Sequence, residues 1–103
     1  MIKVIAFDAD DTLWHNEAYF QETEHKFCAL LENYLPQHTV ARELLQTKIA
    51  NISLYGYGIK AFMLSMIETA IQITDKKISN EAIEKIIGYG REHLNKRLNL
   101  LLM

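Results

Sequence analysis

Asp8 and Asp10 stand two residues apart, with Thr12 two further on, in the stretch Phe7-Asp8-Ala9-Asp10-Asp11-Thr12-Leu13. Two carboxylates this close repel one another unless a cation lies between them or one takes up a proton. The pair therefore favours Mg²⁺ binding and a division of roles, one carboxylate attacking an electrophile while the other shuttles a proton. The bland reading of the same residues is an acidic turn that caps a helix.

A reactive pair needs a rigid element behind it. Ile2 to Phe7 reads Ile-Lys-Val-Ile-Ala-Phe, a nearly continuous apolar run that suits a parallel strand buried on both faces. In an α/β sheet ligands bind outside the carboxyl ends of the strands, which is where Asp8 and Asp10 would fall. After Trp14 no further β-rich run occurs and apolar residues recur at helical spacing. The spacing predicts four helices. The first runs from about Asn16 to Leu35, with Phe20, Phe27, Leu31 and Tyr34 on one side and Pro36 ending it. The second, about Val40 to Leu54, has Thr39 as N-cap and Ala41, Leu45, Ile49 and Ile52 on its buried face. Tyr55-Gly56-Tyr57-Gly58 then breaks the chain. The third carries the cleanest stripe, Ile59, Phe62, Met63, Met66, Ile67, Ala70 and Ile71, and should be the most buried. Asp75-Lys76-Lys77 reads as a solvated turn, and Ser79 caps a fourth helix with Glu81 in its first turn. Gly88 and Gly90 weaken that helix, which a close helix crossing near Gly90 would offset. Antiparallel helices with connections this short form a bundle.

An apolar strand followed by Asp-x-Asp-x-Thr-Leu resembles the first motif of the haloacid dehalogenase superfamily. The resemblance implies that Asp8 is the nucleophile, forming an aspartyl-phosphate, and that Asp10 protonates the leaving oxygen and then activates water. It implies Mg²⁺ held by the Asp8 carboxylate and the Asp10 main-chain carbonyl, with Thr12 bracing the loop beside the substrate. An Asp at the second position favours phosphate-ester hydrolysis over dehalogenation. Asp11 departs from the family, where many members have Gly, and reads as a helix-turn cap or solvated charge. Many relatives insert a helical cap directly after this loop to close over the site and choose the substrate.

The expected architecture is mainly α. One N-terminal strand of a Rossmann-like α/β core and its nucleophile loop (1–14) precede a four-helix cap bundle (15–99), and residues 100–103 begin a return to the core. The family's phosphate-binding Ser or Thr, its Lys and its later acidic pair come from core strands. Nothing after Trp14 reads as one, so Lys60, Lys76, Lys85 and Lys96 fall in the cap and take no such role. A lone buried-type strand without neighbours, and the apolar end Leu100-Leu101-Leu102-Met103, lead us to expect an N-terminal fragment that is inactive alone.

Composition narrows the partners. Among 103 residues, 11 basic and 13 acidic side chains give a net charge of −2 and no extended basic run, so nucleic acid is not expected. No apolar stretch reaches the ~20 residues of a membrane span, and no signal peptide is evident. The single Cys28 forms no internal disulfide and reads as a small core residue, consistent with a reducing, cytoplasmic setting. The resemblance implies a small phosphorylated metabolite as partner, and self-association through an exposed strand and apolar C-terminus is a second expectation. His15, His25, His38 and His93 lack zinc-ligand spacing, although His15 lies just beyond the loop. A receiver domain would alternate strands and helices, which this sequence does not. A non-catalytic helical interaction module stays open as the alternative function. The aromatics of Tyr55-Gly56-Tyr57-Gly58 either face the active site from the cap or merely break the helix.

Overall fold

The computed structural model describes residues 18–102. The expected strand Ile2 to Phe7 and the loop with Asp8, Asp10, Asp11 and Thr12 lie outside the described residues, as does His15. Among the described residues there are four helices and no strand: one described over 18–30 (α1), Gln37–Tyr55 (α2), Ile59–Ile73 (α3) and Asn80–Leu102 (α4).

Helix α1 buries Phe27 and Cys28, with Leu31 buried in the turn that follows and Phe20 half-buried. The helix was expected to reach Leu35 with Tyr34 inside. Instead a turn over 31–34 replaces its last stretch, closed by the Tyr34 N–H donating to the Leu31 carbonyl at 2.9 Å, and Tyr34 is 53% exposed. The residue before a proline is driven out of the helical region, so the chain must leave α1 ahead of Pro36.

Pro36 itself occupies the N-cap of α2, with φ −55° and ψ 148°, and its carbonyl accepts from the Thr39 and Val40 N–H groups. Thr39, expected as the cap, therefore lies inside the first turn, because the preset φ of Pro36 starts the helix early. The inward face of α2 also differs from expectation. Val40, Leu44 and Asn51 are buried and Ala41 half-buried, whereas Leu45, Ile49 and Ile52 are exposed. The two sets are one residue, about 100°, apart around the helix, and both have helical periodicity. Packing against α3 selects the first. Gly56 at φ 71° and Gly58 at φ 114° reverse the chain after Tyr55 in backbone conformations that glycine adopts without strain.

Helix α3 is the most buried, as expected. Ile59, Phe62, Met66 and Ala70 are inside and Met63, Ile67 and Ile71 half-buried, but Ala61, Ser65 and Thr69 are buried too, so it is covered over a wider arc than its apolar stripe. Its end is a Schellman arrangement: the Lys76 N–H donates to the Ile71 carbonyl at 2.8 Å and the Asp75 N–H to the Gln72 carbonyl at 3.2 Å, with both residues at positive φ. The Ser79 hydroxyl accepts from the Ala82 N–H at 3.1 Å and caps α4, with Glu81 in the first turn. At Gly90 the Met63 side chain rests where a Cβ would stand, with its Cγ 3.2 Å from that position. The close α3–α4 crossing expected there is present.

Glu22 pairs with Lys96 and Lys26 with Glu92, the register of two antiparallel helices, and joins α1 to α4. Phe27, Leu31, Val40, Leu44, Met66 and Ile86 form the interior between the four helices. The first described residues of α1, the end of α2 and the start of α3 lie at the same end of the bundle. There Phe20 stacks on Phe62 with ring centroids 5.1 Å apart.

Candidate functional site

At that end a groove of about 330 Å³ opens between α2, α3 and the first described residues of α1. Leu45, Ile49 and Ile52 from α2, Phe20 from α1 and Phe62 from α3 form its apolar walls, and the Gly56 to Gly58 turn forms its rim. Ile49 is 60% exposed and Tyr57, on the rim, 86% exposed. The stripe expected to face the core thus lines an open cleft. Of the two readings of Tyr55-Gly56-Tyr57-Gly58, a helix break is observed, and Tyr57 borders the groove.

Its polar groups are few and fixed. Asn51 and Ser65, both over nine-tenths buried, lie on the lining, and Asn51 Nδ2 donates to Ser65 Oγ at 3.1 Å. The same nitrogen donates to Glu68 Oε2 at 2.6 Å, and the Tyr55 hydroxyl donates to Glu68 Oε1 at 3.0 Å. That bond to the Glu68 carboxylate, with its negative charge, holds the Tyr55 phenol above its usual range. The network ties the last turn of α2 to α3 and makes the groove a shaped feature. Lys48 stands 5.0 Å from the Phe62 ring centroid and 3.7 Å from Glu24 Oε1.

On another side of the bundle Glu22, Lys26, Glu92 and Lys96 make a four-charge clasp between α1 and α4. Lys26 also lies 3.6 Å from Glu22, and Lys96 3.4 Å from Glu92. The Lys96 hydrogen bond lowers the Glu22 carboxyl below its ordinary range, that from Lys26 does the same for Glu92, and Glu22 raises Lys96. These charges satisfy one another.

The candidate nucleophile Asp8, the candidate acid–base group Asp10 and Thr12 lie outside the described residues. Carboxylate and carbonyl oxygens are the hard donors Mg²⁺ takes, so the chemistry of that donor set fits the ion. Among the described residues no group of three or more His, Cys, Asp and Glu could hold a metal. Lys60, Lys76 and Lys85 are exposed and Lys96 belongs to the clasp, so none gathers at the groove. His25 and His38 are exposed, while His93 is buried with its ring 4.4 Å from that of Phe20. Burial pushes the Cys28 thiol up, in keeping with a core residue. Lys48, Asn51 and Ser65 were not anticipated. The available signal was a polar residue at an inward helical position, Asn51 on α2 and Ser65 on α3.

No family model matches the chain and no curated protein matches it. Among solved structures it is similar to a haloacid dehalogenase-like family hydrolase from Xanthomonas campestris, with 38% identity and a TM-score of 0.70. The likeness covers 78% of this chain and 33% of that one, so the chain spans about a third of that hydrolase's length. Residues outside 18–102 make up under a fifth of the chain, so the likeness extends well into the helices and does not rest on the Asp8 to Leu13 motif alone. Among the described residues no helix is long and apolar enough to cross a membrane.

Proposed function

The chain belongs to the haloacid dehalogenase-like hydrolase superfamily, and from that premise we propose that it supplies the nucleophile loop and helical cap of a Mg²⁺-dependent phosphate monoesterase. The Asp8 carboxylate attacks phosphorus, and Asp10 gives its proton to the departing alcohol oxygen as the P–O bond breaks. Asp10 then takes a proton from water, whose oxygen attacks the aspartyl-phosphate and releases inorganic phosphate and Asp8. Mg²⁺, held by the Asp8 carboxylate and the Asp10 carbonyl, would offset charge on the phosphoryl oxygens. Thr12 braces the loop. In the family this chain resembles, the phosphate-binding Ser or Thr, the Lys and the later acidic pair come from core strands, and the chain spans about a third of the similar hydrolase. Small phosphorylated metabolites are the substrate class.

The observation that carries this reading is the position of the groove. It opens at the end of the bundle that holds the first described residues of α1, and Phe20 on its wall follows Leu13 by seven residues, a reach of at most about 25 Å. A cap must turn such a face toward the reacting loop. The test is phosphate release from p-nitrophenyl phosphate, with and without Mg²⁺, by the protein translated from the complete reading frame that encodes this chain. Asp8→Asn should lower kcat by at least about 10³-fold. Undiminished turnover in that variant, or no Mg²⁺-dependent release at all, would overturn the proposal.

A second reading, a helical module that self-associates, is favoured by the exposed apolar run Leu45, Ile49, Leu54 and Tyr57. Light scattering decides it. A dimer that dissociates on Ile49→Asp, in a protein without phosphatase activity, would establish it.

A further inference from the structure

We infer that the α2–α3 groove binds the organic part of the substrate, and that this part is a small aromatic or branched apolar group carrying one hydrogen-bonding substituent, not a sugar. The inference rests on the phosphatase reading above and adds the substrate class. Size is the first ground. A volume of about 330 Å³ lies at the lower end of ligand pockets, about 300–1,000 Å³, and suits a small organic group such as a single ring or branched chain.

Lining chemistry is the second. Leu45, Ile49, Ile52 and Phe62 offer no hydrogen bonds, and a sugar buried against them would leave most of its hydroxyls without partners. The Asn51 and Ser65 pair is the exception. Asn51 Nδ2 has both donors engaged, on Ser65 and Glu68, and the Ser65 oxygen accepts one of them, which leaves the Ser65 O–H to donate to a ligand. That is provision for one polar substituent. Charge is the third ground. Lys48, the one cation on the lining among the described residues, already faces Glu24 and the Phe62 ring, so the groove does not favour a second anionic group.

The test compares benzyl phosphate, 4-hydroxybenzyl phosphate and glucose 6-phosphate as substrates of the protein from the complete reading frame, and measures binding of 4-hydroxybenzyl alcohol by NMR titration. Benzyl phosphate should exceed glucose 6-phosphate in kcat/KM by at least about tenfold. The hydroxyl should add about threefold, an increment that Ser65→Ala removes. Ile49→Asp should weaken alcohol binding and raise KM for benzyl phosphate by about tenfold or more. Tyr57→Ala, at an 86% exposed position, should act in the same direction and guards against a folding defect in Ile49→Asp. Leu64→Asp, on an exposed residue outside the groove, should change neither quantity. Preference for the sugar ester, alcohol binding indifferent to Ile49→Asp and Tyr57→Ala, or a dimer that occludes the groove would overturn the inference while phosphate release kept the phosphatase reading intact. Alcohol binding sensitive to Ile49→Asp without phosphate release from any ester would leave the groove's selectivity standing and remove the phosphatase reading.

Discussion

Helices α2 and α3 both carry apolar stripes at helical spacing, and the two stripes have opposite fates. On α3, Ile59, Phe62, Met66 and Ala70 are buried against the other helices. On α2, Leu45, Ile49 and Ile52 line an open cleft, and the adjacent stripe of Val40, Leu44 and Asn51 packs inward. Apolar periodicity therefore marks surface that must be covered, whether by the protein's own core or by something it binds. The two cases separate by energetics. Met66→Ala removes a fully buried side chain and should lower the unfolding free energy by about 2–5 kcal/mol. Ile49→Ala, at a 60% exposed position, should change it by no more than about 0.5 kcal/mol. Urea denaturation of the two variants checks the contrast, and equal losses would mean that the α2 stripe is covered in solution.

Between these extremes lies the polar joint of α2 and α3. Asn51→Ala withdraws the donor shared by Ser65 and Glu68 and should cost about 1–3 kcal/mol, because both acceptors lose a partner at a mostly buried position. The same variant should weaken 4-hydroxybenzyl alcohol binding, since it loosens the groove floor. A stability loss with unchanged binding would separate the joint from the groove.

The outcome at each element shows what local sequence could reveal. The α3 stripe was legible because one run of positions dominates, and the Ser79 cap and the glycine break after Tyr55 because each acts on its own neighbours. The face of α2 was not. Val40-Leu44-Asn51 and Ala41-Leu45-Ile52 are both helical sets one residue apart, and only α3 decides between them. Thr39 lost the cap to Pro36, and Tyr34 lost its place in the core because Pro36 ends α1 early. The Asn51–Ser65 bond spans 14 residues and the Lys96–Glu22 pair 74, separations at which no local pattern carries information. The candidate catalytic pair was legible only as a motif, and the geometry of Asp8 and Asp10 lies outside the described residues.

Glycines on α4 give a finer version of the same contrast. Gly88 has open space where a Cβ would stand, so Gly88→Ala should stabilise the protein by about 1 kcal/mol through helix propensity alone. At Gly90 the Met63 side chain occupies that space, and Gly90→Ala must push a flexible thioether aside. Its gain should be smaller than that of Gly88→Ala, and Gly90→Val should lower stability by about 1–3 kcal/mol through overpacking. Thermal melts of the three variants rank the effects. A Gly90→Ala gain equal to that at Gly88 would mean that the α3–α4 crossing is loose.

The α1–α4 clasp should have the smallest effect, for a physical reason opposite to that at Met66. Its carboxylates are about half exposed, so solvent screens them, and each pair should contribute less than about 1 kcal/mol. Glu22 and Glu92 have folded-state pKa values below their ordinary 4.5, so the unfolded chain binds more protons as acid is added. Their contribution is complete above pH 4.5 and is lost as pH falls through the depressed folded values. Lys96 is raised above 10.5, so its contribution holds below that pH and fades as pH rises through its higher folded value. Glu22→Gln should therefore cost little at pH 7 in low salt, and almost nothing at about 1 M salt, where the screening length is about 3 Å. The cost of Met66→Ala should persist at that salt, because apolar burial is not an interaction between charges. Denaturation curves for both variants at low and high salt would show the divergence, and a salt-independent loss in Glu22→Gln would mean that α1 and α4 are held by packing around Glu22 and not by its charge.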